Sequence, residues 1–207
     1  MTLAPFAYPS LPHSRKHGPR GYDAYERFKP WLRDEFCFRC VYCLERELWY
    51  PDRTASFSVD HVEPQSRATA LVCEYTNLVY ACTRCNSARQ DETLLDLTAT
   101  AFGEHLRLGE DAILVGLTTE GRDLIDILHL NHNPALAVRR THLGLLVLKE
   151  RYPVDAEVEA QFLGAFGFPD DMPDLRTLRP PGGNSQSHSE HVCYFARREG
   201  RGLPATY

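Results

Sequence analysis

Residues 78–89 read LVYACTRCNSAR, a strand-favouring run that enters a C-x-x-C turn and leaves it in residues that tolerate a helix. Asn86 stands at the head of that last segment and is a residue type that commonly caps helices. Upstream, Cys40 and Cys43 form a second such turn, CVYC, separated from Cys82 and Cys85 by residues 44–81, that is 38 positions. A lone C-x-x-C is as readily a redox dithiol or a pair of buried thiols. Two pairs together point to a four-thiolate site for a structural Zn2+, each turn aiming two sulfurs at one ion with Zn–S near ~2.3 Å. Four sulfurs close the shell and leave no position for a water, so this ion is expected to hold structure rather than do chemistry.

Between the pairs lies FSVDHVEPQSR, residues 57–67. Phe57, Val59 and Val62 favour a strand, and Pro64 ends it because proline cannot donate to a ladder. Asp60 and His61 are neighbours, and neighbours on a regular strand point to opposite faces, so an ordinary ion pair does not explain them. An isolated Asp-His is more often a strand-end turn whose histidine satisfies a carbonyl. The order that emerges is strand, loop, strand, helix, with the cysteine turns at its base.

Taken together, the two C-x-x-C turns, Asp60-His61, Asn77 and the sequence C-N-x-x-R from Cys85 to Arg89 make residues 36 to 95 resemble the HNH endonuclease family and its ββα-metal, His-Me finger fold. The resemblance implies a catalytic divalent ion held between hairpin and helix. On the matching positions it implies His61 as the general base on water, Asp60 as a carboxylate ligand, Asn77 as the brace of the intervening loop, and Asn86 as the second ligand. Many relatives carry histidine at that last position. Asparagine there turns the ligand set toward oxygen, which suits Mg2+ or Mn2+. An irregular backbone at the strand end is expected to bring Asp60 and His61 to two sides of one phosphate. Arg89, where relatives often have lysine, is expected at a substrate phosphate, with Arg84 and Arg67 as further nucleic-acid contacts or as solvated charges.

The remainder frames this core. The chain has 207 residues, enough for one domain with elaborations, and a net charge of -5 that excludes nucleic-acid binding by bulk positive charge alone. Basic residues gather from Arg15 to Arg53, where phosphate contacts are expected. Seven cysteines, an odd number, and no apolar leader or membrane-length run point to a reduced, cytoplasmic setting without a membrane. Cys37, Cys73 and Cys193 then read as ordinary core or surface thiols. The expected fold class is α+β: a flexible segment at 1–21, an HNH domain at 22–100 led by a helix carrying Tyr25, Phe28, Leu32 and Phe36, a mostly helical extension at 101–168, and a Pro/Gly-rich tail at 169–207. Within the extension, Asn133-Pro134 is expected to open a helix to about Tyr152 and Asp155 to cap another. VCYFARR in the tail is expected to return as a short strand. His129 with His132, and His188 with His191 and Cys193, have metal-like spacings but read as non-binding. The function expected is metal-dependent hydrolysis of phosphodiesters in DNA, with RNA not excluded as substrate and a homodimer open. The rival is a zinc-ribbon module that binds nucleic acid or protein without cutting.

Overall fold

In the computed structural model, which describes residues 4–186 and 191–207, a short hairpin and two helices surround the cysteines. Helix α1 spans Lys29–Glu35, strands β1 and β2 span Phe57–His61 and Leu78–Cys82, and helix α2 spans Thr83–Arg89. β1 and β2 pair antiparallel from Phe57 opposite Cys82 to His61 opposite Leu78. β2 is buried along its whole length, which explains its unbroken apolar run where a half-exposed strand would alternate. Phe57 and Tyr80 stack across the hairpin with centroids 5.1 Å apart, a cross-strand aromatic pair of the kind that fixes register.

The helix that leads in is shorter than its apolar spacing suggests. Tyr25–Phe28 forms a 3-10 turn, and α1 follows with Pro30 in its first turn, where a missing N–H costs nothing. It stops because Cys37 and Phe38 take left-handed φ values of 54° and 56°. α2 starts inside the second cysteine turn and not at Asn86: Cys82 is its N-cap, its Sγ accepting from the Cys85 amide. It ends at Arg89, since Gln90 has φ 52°, so QDETLLDL lies outside the helix.

The extension contains α3 (Phe102–His105), strands β3 (Leu106–Leu108) and β4 (Leu114–Gly116) paired antiparallel, α4 (Thr119–Ile127), α5 (Asn133–Arg151) and α6 (Ala156–Phe166). Asp155 caps α6 by accepting from Glu157 and Val158 amides at 3.0 and 2.9 Å. At α5 the N-cap position falls on His132, one residue before Asn133, with Pro134 in the first turn. VCYFARR is not a strand: Tyr194–Glu199 forms helix α7. Its start is held by the Tyr194 amide donating to Asp34 Oδ2 at 2.6 Å. His188 lies outside the described residues. Among the described residues no helix is long and apolar enough to cross a membrane.

Residues 13–17, expected to be loose, are tied to α1. The Glu35 carboxylate accepts from His13 Nε2 at 2.7 Å, from the amides of Lys16 and His17, and from Tyr75 Oη at 3.1 Å. Asp34 Oδ1 meets His17 Nε2 at 2.7 Å. Burial would push the Glu35 carboxyl up, but the hydrogen bonds from His13 and the Lys16 amide outweigh it and bring it down to about 2. A carboxyl whose folded pKa is depressed stabilises the fold above its unfolded pKa of about 4.5 and loses that contribution as pH falls toward 2. The unfolding free energy from urea titrations is therefore expected to fall across that window by on the order of 3 kcal/mol. In Glu35→Gln this acid-dependent loss disappears from an already weakened protein.

Candidate active site and zinc centre

The four cysteines of the two turns are buried, and their sulfurs lie within 4.8 Å of one another. Cys43 and Cys82 Sγ are 3.7 Å apart, far beyond a disulfide and close to the ~3.8 Å edge of a tetrahedron whose Zn–S distance is ~2.3 Å. The donor set, its burial and its spacing all fit a structural zinc. The first turn is closed by the Cys40 amide to Glu45 O and the Leu44 amide to Cys40 O, with Leu44 at φ 60°. The Val41 amide then bonds Tyr80 O at 3.0 Å and ties this turn to β2.

One face of β1 is clamped by α2. Asn86 and Arg89 stand three apart on the helix and so share a face. Asn86 Nδ2 donates to Ser58 Oγ at 2.9 Å, while Arg89 Nη1 meets Asp60 Oδ1 at 2.7 Å. Arg89 is 1% exposed and also donates to the carbonyls of His61, Val62 and Glu92. Asp60 Oδ1 accepts further from the His61 amide at 2.8 Å, and Oδ2 from Tyr42 Oη at 2.7 Å. That uses three of the roughly four acceptor positions of a carboxylate, leaving Oδ2 able to take one more partner.

His61 is held from the other side. Its Nε2 lies 3.0 Å from Val72 O, and since a carbonyl only accepts, Nε2 carries the proton. Nδ1 is then the unprotonated nitrogen, approached by Gln65 Nε2 at 3.3 Å. Tyr25 sets its ring edge-on to the imidazole at 4.8 Å. Burial pushes the His61 pKa down, further than the Val72 carbonyl and the Asp60 charge raise it, which keeps the imidazole neutral near pH 7. Asn77 Oδ1 accepts from the Glu63 amide at 2.8 Å and its Nδ2 donates to Glu63 O and Leu71 O, so it bridges the two ends of the loop behind His61. Asp60, His61, Asn86 and Arg89 all line one cleft of about 390 Å³, with Tyr25, Gln65 and Asp91 at its walls.

Residues 40–92 match the family model described as HNH endonuclease. This segment is an HNH domain. The chain is also similar to Septu protein PtuB of Bacillus thuringiensis, at 27% identity over 111 residues, which is 51% of this chain and 42% of that relative. It thus spans less than half the relative's length. No solved structure matches the chain.

The HNH segment brings Asp60, His61 and Asn86 to one cleft, but without the irregular backbone expected there. Pairing runs in register through His61; the two side chains meet because the strand ends at the cleft, with α2 on one face and Tyr25 with Val72 on the other. Arg89 is corrected from a phosphate contact to an internal clamp, since its guanidinium is buried and its nitrogens are taken by Asp60 and three carbonyls. Arg84 faces the four-cysteine cluster: it pairs with Glu45 at 2.5 Å, and although burial opposes its charge, Cys43 and Glu45 raise its pKa. Arg67 is exposed, donates to Thr93 Oγ1 at 2.7 Å and follows Ser66 on the cleft wall. Sequence reasoning missed Tyr42, Tyr25 and Gln65. Tyr42 sits inside C-V-Y-C, so a residue between two cysteines of the cluster also holds the Asp60 carboxylate.

The clamp carries a testable cost. Arg89→Ala leaves the Asp60 charge buried without its cation, and a broken buried pair typically costs about 3–5 kcal/mol. Denaturant midpoints are expected to fall accordingly. Arg89→Lys recovers part of this, because one ammonium replaces the charge but cannot reach four acceptors.

Proposed function

We propose that the protein is a metal-dependent endonuclease that hydrolyses phosphodiester bonds in DNA. The observation that carries this reading is the cleft shared by Asp60, His61 and Asn86, with His61 Nδ1 unprotonated. Phosphodiester cleavage needs a nucleophile made at neutral pH and neutralisation of charge on the leaving oxygen. The chain supplies the first: His61 takes a proton from water at Nδ1, while the Nε2–H bond to Val72 fixes its ring and Asn77 holds the loop that presents Val72. For the second, Asp60 Oδ2 and the Asn86 side-chain oxygen are the ligands for a Mg2+ or Mn2+. Asn86 suits this role, because its amide nitrogen is turned to Ser58, which leaves its oxygen for an ion. When bound, that ion supplies charge neutralisation at the scissile phosphate. Arg67 is the candidate for a backbone phosphate contact at the rim.

Supercoiled plasmid incubated with the protein and either Mg2+ or EDTA separates this reading from a binding module. Nicking or linearisation with Mg2+ that stops in EDTA supports the nuclease. Retardation of the plasmid without cleavage in either buffer supports the module and overturns the proposal.

A further inference from the structure

A second cavity of about 240 Å³ opens between the N-terminal arm, α1 and the first cysteine turn, with no residue of the HNH cleft in its lining. At liquid density it has room for about eight waters. Its walls are largely apolar, with Phe36, Val41, Leu97 and Phe102 among them, and Leu11 at its side is 74% exposed, a large apolar side chain presented to solvent. An apolar cavity of this size gains little from water and favours an apolar guest.

The polar groups in the lining are unequal in charge. Glu35 is the one carboxylate, and His13, two amides and Tyr75 already satisfy it. Lys16 and Arg39 are the cations. The Lys16 ammonium lies 3.9 Å from Cys37 Sγ and 5.2 Å from the Tyr194 ring centroid. Neither cation is ion-paired with a carboxylate among the described residues. Apolar walls under an excess of positive charge are complementary to a guest with an apolar body and an anionic head.

We propose that this cavity is a binding site for a small amphipathic anion, a carboxylate or phosphate monoester on a short hydrocarbon body, with Lys16 and Arg39 holding the head. Cys37 reports on it, since its half-buried thiol lines the cavity. The test is the rate of Cys37 alkylation by iodoacetamide, read by peptide mass spectrometry on the zinc-loaded protein with octanoate, octyl phosphate or octanol added. Octanoate or octyl phosphate at saturation is expected to slow alkylation by at least about fivefold, and the more protective of the two identifies the head group. Octanol is expected to need about tenfold more for the same protection. The double substitution Lys16→Gln, Arg39→Gln is expected to weaken the anion by about tenfold or more while leaving the melting temperature of the free protein unchanged. Equal protection by octanol and the anions, unchanged affinity in the double variant, or no protection by any probe would overturn the proposal.

Discussion

Replacing His61 with alanine is expected to slow phosphodiester cleavage by about 10²–10⁴-fold, the usual contribution of a positioned general base. The geometry makes this substitution informative. His61 lies at the end of β1, in the last ladder pair, and its side chain bonds one carbonyl, approaches one amide and touches one ring. Removing it leaves the Val72 carbonyl without that donor, a loss of about 1–2 kcal/mol. The zinc centre, the Arg89 clamp and Asn77 are untouched. Activity and structure are therefore separable: cleavage is measured on plasmid, and folding by zinc content and denaturant midpoint. Nicking at the wild-type rate by a folded His61→Ala protein would remove the imidazole from the mechanism.

Removing the zinc, or replacing Cys82 with serine, is expected to unfold the domain. Structural zinc sites bind with apparent free energies of about 10–16 kcal/mol, as large as the about 5–15 kcal/mol that stabilises a whole domain. Cys82 has three jobs at once: it ends β2, its sulfur is one of the four, and the same sulfur caps α2. Without the ion, four buried sulfurs face one another, and burial pushes the Cys43 thiol pKa up. The consequence reaches the cleft by two routes. Tyr42 rides on the first turn and holds Asp60, and α2 carries Asn86 and Arg89 out of the second. Circular dichroism during strong chelation should show loss of helix together with loss of zinc, and cleavage should vanish in step. A chelated, zinc-free protein that keeps its spectrum would show that the sulfurs do not hold the fold.

How far the site could be read from residue order follows from where each interaction is encoded. The two C-x-x-C turns, Asp60-His61, Asn77 and Asn86 are local or regularly spaced, and the hairpin brings them where their order implies. Arg89 reads as a cation for a substrate phosphate because sequence shows charge but not burial; it becomes a clamp once α2 lies across Ser58 and Asp60. Tyr25 reads as part of the leading helix's apolar stripe and Tyr42 carries no signal of its own; their contacts with His61 and Asp60 exist only after the chain has folded. VCYFARR has strand-like composition, yet Asp34, some 160 positions earlier in the chain, caps it into a helix. In each case a contact distant in sequence overrode a local preference.

Convergence of an imidazole and a divalent ion on one cleft is the central claim, and paramagnetic NMR of the zinc-loaded protein titrated with Mn2+ tests it most directly. One Mn2+ is expected to broaden the His61 imidazole resonance beyond detection while His142, stacked on Trp49 at 3.8 Å, stays sharp, and Asp60→Ala is expected to abolish the broadening without loss of zinc. A His61 resonance that remains sharp at saturating Mn2+ would contradict it.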